Sequence, residues 1–155
     1  MTLKINKEDI DKKIYFLQNY DNMKKDLYFI KNIENHKINI NNYVILINDK
    51  IYKSRTYFEP KSEGIYNIKL FLNEMMIDCF GLFYDCGNIL NINLSSFYTK
   101  NITNMSFMFC HCSNLTNINL ARFNTKNVND MSSLFYDCSN LININISSFK
   151  TKKCY

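Results

Sequence analysis

The chain has 155 residues, 46% hydrophobic and 21% charged, with 12 Phe and 11 Tyr: ample material for a core and no basis for wholesale disorder. With only three Gly and one Pro, it has neither collagen-like nor flexible-linker character, and no glycine-rich loop to cradle a phosphate. The formal net charge of +5 comes from lysines spread along the sequence, only Arg55 and Arg122 being arginine, so a solvated surface is expected and a nucleic-acid partner is not.

The first ten residues hold no apolar run of signal-peptide length, and nothing approaches the roughly 20 apolar residues of a membrane span. No membrane insertion is expected, the compartment is read as cytoplasmic, and the six cysteines are read as thiols rather than a disulfide framework. A first strand is expected at 13–17. Asp21 and Asn22, followed by Met23, Leu27, Ile30 and Ile33, predict a short amphipathic helix. The run 44–47, then Asn48-Asp49, then 50–53 predicts a β-hairpin, and after Pro60 a further strand is expected at 64–72. Residues 1–76 show no period and are read as an α+β N-terminal cap.

From residue 77 the sequence repeats every 26 residues. Phe83, Phe109 and Phe135 form one column, Cys86, Cys112 and Cys138 another, and Phe97, Phe123 and Phe149 a third. Ile89, Leu115 and Leu141 recur with Ile92, Ile118 and Ile144, and with Leu94, Leu120 and Ile146. Leu115-x-x-Ile118-x-Leu120-x-x-Phe123 has the spacing of a leucine-rich repeat, with Phe where an Asn or Cys ladder usually sits. Ile118 and Leu120 lie two apart on one strand face, leaving Asn117 and Asn119 on the other. Ile102, Met105 and Phe109, like Val128, Met131 and Phe135, follow each other at three and four residues, which predicts one side of a short helix capped by Asn104 or Asp130. The expected fold class is therefore α/β: a short leucine-rich-repeat solenoid over 77–155, three units of parallel strand plus short helix, behind the α+β cap.

The stretches 120–128 and 127–141 resemble the BspA-like leucine-rich repeat, the 26-residue bacterial-surface-protein repeat of bacteria, protists and large viruses. Met131-Ser132, Phe135, Cys138 and Leu141 carry the resemblance, and it extends over 77–155. The first unit departs from it, with Cys79-Phe80 where Met105-Ser106 stands in the next, and with Gly81 and Gly87. Phe58-Glu59-Pro60 and Glu63-Gly64-Ile65-Tyr66 resemble the leader segments that precede such repeats in protist proteins. The resemblance implies a cell-surface or adhesive role, most members of that family having no known activity.

The outward strand positions Asn91, Asn93, Asn117, Asn119, Asn143 and Asn145 make two columns of amides on the concave sheet face, suited to a protein or glycan ligand or simply to solubility. Lys100, Lys126 and Lys152 form a second, basic column that either meets an acidic partner or keeps an edge soluble. The Cys86, Cys112 and Cys138 column suits buried free thiols, because ladder side chains run parallel. Cys110-His111-Cys112 lacks the second ligand pair of a structural zinc site and any group to orient a Cys-His dyad. No metal, no cofactor and no enzyme activity are expected. The leading expectation is a protein-interaction module. The alternative is a self-associating repeat protein pairing through 141–155, where Cys154 falls in the column of Ile102 and Val128 and the last strand is left at an edge.

Overall fold

The computed structural model describes residues 1–28, 30, 31, 33–36, 43–53, 55–72 and 76–150. Its strands are β1 (Thr2–Ile5), β2 (Ile14–Tyr15), β3 (Tyr43–Ile47), β4 (Lys50–Lys53), β5 (Tyr57–Phe58), β6 (Gly64–Leu72), β7 (Ile89–Asn93), β8 (Asn117–Asn119) and β9 (Asn143–Asn145). Among the described residues there is one α-helix, α1 (Tyr20–Asp26), and no helix is long and apolar enough to cross a membrane.

Seven strands form one mixed sheet in the order β4-β3-β6-β1-β7-β8-β9, and β2 pairs with β5 in a separate antiparallel ribbon. β3 and β4 turn back on each other at Asn48 and Asp49, both at positive φ, the backbone a two-residue hairpin turn requires. β1 lies between β6 and β7 and runs antiparallel to both. Its Leu3 and Ile5 are buried and Lys4 exposed, the alternation of a half-buried strand. From β7 onward pairing is parallel and in the register of the 26-residue spacing, Ile92 opposite Ile118 and Ile118 opposite Ile144.

The expectation of an α/β solenoid with a helix in each unit is overturned. The fold is a mixed sheet, and the stretches 102–109 and 128–135 each pass through an isolated bridge at Asn104 or Asp130 into tight turns from 106 and 132. Gly81, Asp85, Phe107, His111, Ser133 and Asp137 sit at φ between 52° and 60°, so each unit carries two left-handed residues four apart and an α-helix cannot propagate through them. The amides confirm the cause. Cys79, Gly81, Phe83 and Asp85 donate to the carbonyls of Asn104, Ser106, Met108 and Cys110 in the next unit, at 2.8–3.0 Å. The amides between them, of Leu82, Tyr84 and Cys86, donate to carbonyls three residues back. Met105, Phe107, Phe109 and His111 repeat the pattern onto Asp130, Ser132, Leu134 and Tyr136. A three-and-four spacing of apolar residues therefore arises here from turns stacked between neighbouring rungs, and inter-rung bonds replace intra-helical ones. Asp78, Asn104 and Asp130 cap no helix; each side chain accepts the amide two residues on, that of Phe80, Ser106 and Ser132.

Inside the rungs the aromatic columns stack. Phe83 and Phe109 lie 5.4 Å apart and nearly parallel, as do Phe109 and Phe135, while Phe97 and Phe123 lie 5.9 Å apart. At about 1.5–3 kcal/mol for each fully buried Phe, these columns are a principal source of cohesion. A smaller cluster joins Met23 of α1 and Leu27, the residue after it, to Phe80, Tyr84 and Cys110 on the outer side of the rungs. Asn19, whose side chain caps α1 by accepting the Asn22 amide, also donates to Asp85 at 2.8 Å, and Tyr84 donates to Asp26 at 3.2 Å.

Candidate functional site

The six asparagines of β7, β8 and β9 are all exposed and, with Ile92, Ile118 and Ile144, line a shallow depression of about 430 Å³. Strand alternation places them there: Ile92 and Ile118, each between two asparagines, turn into the core, whereas Ile144 on the last rung stays exposed. The two columns differ in their bonding. The Oδ1 atoms of Asn93, Asn119 and Asn145 accept the amides of Ser95, Ala121 and Ser147, at 2.9, 3.0 and 3.2 Å, closing the turn after each strand. In the other column Asn143 donates to Asn117 at 2.9 Å, and Asn117 donates to the hydroxyl of Thr116 at 3.0 Å.

The amides of Asn93, Asn117, Asn119, Asn143 and Asn145 are thus fixed in orientation, and they carry no charge. The structural share of this work escaped the sequence reading, although Ser95, Ala121 and Ser147, two residues after each asparagine, are the spacing of an Asx turn. A further asparagine column holds the rungs together: Asn114 donates to the Gly87 carbonyl and Asn140 to that of Ser113, each at 2.7 Å.

Lys100 and Lys126 are exposed and do not line the depression; Lys152 and Cys154 lie outside the described residues. Among the described residues, Lys100 and Lys126 are therefore not brought to the asparagine depression.

The cysteine column is buried at Cys86 and Cys112 and half-buried at Cys138. Cys112 donates to the Phe83 carbonyl at 3.2 Å and Cys138 to that of Phe109 at 3.0 Å. Burial pushes the thiols of Cys86 and Cys112 well above the ordinary range, Cys138 to about 11 and Cys110 to about 12. A thiol held protonated is a poor nucleophile and a poor metal ligand. His111 is turned away from Cys112, holding Asp137 at 3.0 Å between the edge-on rings of Tyr84 and Tyr136. Among the described residues, no three His, Cys, Asp or Glu side chains gather to hold a metal ion.

Residues 53–155 match the model of one protein family, described as Mycoplasma protein of unknown function, DUF285. This corrects the recognition of a BspA-like leucine-rich repeat, because the match is positive evidence for a different family, and a leucine-rich-repeat solenoid no longer describes the chain. The columns of Met, Phe, Cys and Leu that carried the resemblance specify a packing pattern, which more than one family can use. No curated protein and no solved structure matches the chain.

Proposed function

The chain belongs to the family described as Mycoplasma protein of unknown function, DUF285, and within it we propose that this member is a non-enzymatic interaction module whose asparagine face binds an extended peptide or a glycan. The observation that carries this reading is the uncharged, exposed amide surface of β7, β8 and β9 with its Oδ1 atoms anchored in turns. Pinning Oδ1 of Asn93, Asn119 and Asn145 leaves their Nδ2 donors available at little further entropic cost, and these donors repeat at the strand spacing of about 4.8 Å. Carbonyls of an extended backbone or hydroxyls of a saccharide chain present acceptors that such a row can meet. Residues 1–76 act in this proposal as the cap of the first rung.

The test is capture on arrays of oligosaccharides and extended peptides by the wild type and by a double variant, Asn119→Asp and Asn145→Asp. Aspartate keeps the Oδ1 that closes each turn and removes the Nδ2 donor, so the variant should keep its fold while losing the captured set. Capture of the same set by both proteins, or of nothing by the wild type, would sink the reading.

A second reading has its own observation. Ile144 is 42% exposed where Ile92 and Ile118 are 5% and 4%, and Ile142 and Ile146 are exposed beside it. This apolar edge at β9, within 141–155, suits association with a second copy. Light scattering over a wide concentration range should then show a dimer that Ile144→Lys abolishes; a monomer throughout rejects it.

A further inference from the structure

The asparagine face has a repeat of its own, and that repeat discriminates between polymers. Among the described residues its depression is lined only by the six asparagines and by Ile92, Ile118 and Ile144, so no formal charge faces a ligand. The parallel register sets Asn93, Asn119 and Asn145 on successive rungs, so their three Nδ2 donors span about 10 Å across the strands. With Oδ1 committed to the turn amides, this column offers donors.

The second column lies two residues back on each strand, about 6.7 Å away, and is mixed in character. Asn143 donates to Asn117 and Asn117 to Thr116, which leaves the Asn143 Oδ1 as an acceptor. The Asn91 side chain has no hydrogen-bond partner among the described residues and offers both kinds of group. A ligand that satisfies the whole face must accept along one side, and donate as well as accept along the other.

These distances decide between the two kinds of chain. An extended backbone turns a carbonyl to the same side every second residue, about 6.7 Å. Laid across the strands and centred on the middle donor, its carbonyls overshoot the outer two by about 2 Å each, which stretches both bonds beyond the limit of about 3.2 Å. Laid along a strand it matches the column separation, but each strand holds only two of the asparagines. A saccharide hydroxyl both donates and accepts. An extended β-1,4-linked hexose chain advances one ring in close to one rung spacing and carries hydroxyls along both edges.

Granting that the asparagine face is a binding surface, we propose that its ligand is a neutral, linear β-1,4-linked oligosaccharide lying across β7, β8 and β9 with one hexose ring on each rung. The Nδ2 groups of Asn93, Asn119 and Asn145 donate to hydroxyls on one edge of the chain, and Asn91 and Asn143 meet the other. Neutrality follows from the lining, which offers no cation to a sulfated or sialylated chain.

The experiment is an NMR titration of the full chain that follows the asparagine side-chain amide signals, with cellobiose, cellotriose, cellotetraose and, as the linkage control, maltotriose. Cellotriose should bind saturably and about fivefold more tightly than cellobiose, the gain from one further net hydrogen bond. Cellotetraose should gain less than about twofold more, since three rungs carry the donors. Maltotriose, whose α-linkage curls the chain away from a straight row, should bind at least about tenfold more weakly, and so should cellotriose to the Asn119→Asp, Asn145→Asp variant. Equal affinity for cellotriose and maltotriose, or no rise from two rings to three, overturns the proposal. Binding of acetyl-Thr-Val-Thr-Val-Thr-amide in place of cellotriose, lost in the double variant, also overturns it while leaving the asparagine face a binding surface; absence of binding by either probe removes both.

Discussion

The two ends of the rung stack carry the same residue types and meet different fates. At the first rung β1 occupies the place of a preceding neighbour: Asn88 donates to the Lys4 carbonyl at 3.0 Å, as Asn114 and Asn140 donate to Gly87 and Ser113. Phe83, Cys86, Ile89 and Ile92 are buried as a result. At the last rung their counterparts Phe135, Cys138 and Leu141 are half-buried and Ile144 is exposed. Burial here belongs to the interface between rungs, so each rung is as stable as its neighbours make it.

The largest expected effect sharpens that contrast. Phe109 is stacked on both faces and Phe135 on one, so Phe109→Ala should cost about 3–5 kcal/mol in urea unfolding and Phe135→Ala about half as much. Equal costs would show that the middle rung gains nothing from its second neighbour. Next is the covered end: Leu3→Ala, in the fully buried face of β1, should cost about 2–5 kcal/mol and raise hydrogen exchange at β7 more than at β9.

The thiols provide a smaller, pH-dependent effect. Burial holds the folded-state pKa of Cys112 well above the ordinary range and that of Cys138 at about 11, both above the roughly 8.5 of an unfolded thiol. The stabilisation from keeping them neutral is complete below about pH 8.5 and is lost as pH rises toward and through the folded values. The urea midpoint should therefore fall above about pH 9, and Cys112→Ser should flatten the fall more than Cys138→Ser does. The smallest effect concerns the turns. Ser133→Gly, at φ 52° on the exposed last rung, should stabilise by about 0.5–1 kcal/mol, whereas Gly81→Ala, at φ 56° with its new Cβ 2.6 Å from the Met23 sulfur, should destabilise.

Part of the candidate site was legible before folding. Alternation alone placed Asn117 and Asn119 opposite Ile118, because a strand has a period of two whatever its neighbours. The turn-closing role of Asn93, Asn119 and Asn145 was missed because an amide offers the same groups to a ligand and to its own backbone.

The 26-residue spacing by itself determined the register of β7, β8 and β9, since identical columns stack best when each side chain lies on its own copy. Tertiary structure decided the rest. Whether apolar residues three and four apart become helix or turn depends on where the amides find acceptors, and here a neighbouring rung supplies them 25 residues away, with left-handed residues such as His111 and Asp137 between. Tertiary structure also set β1 between β6 and β7, because four residues of weak local preference become a central strand only when two edges are waiting to bond them.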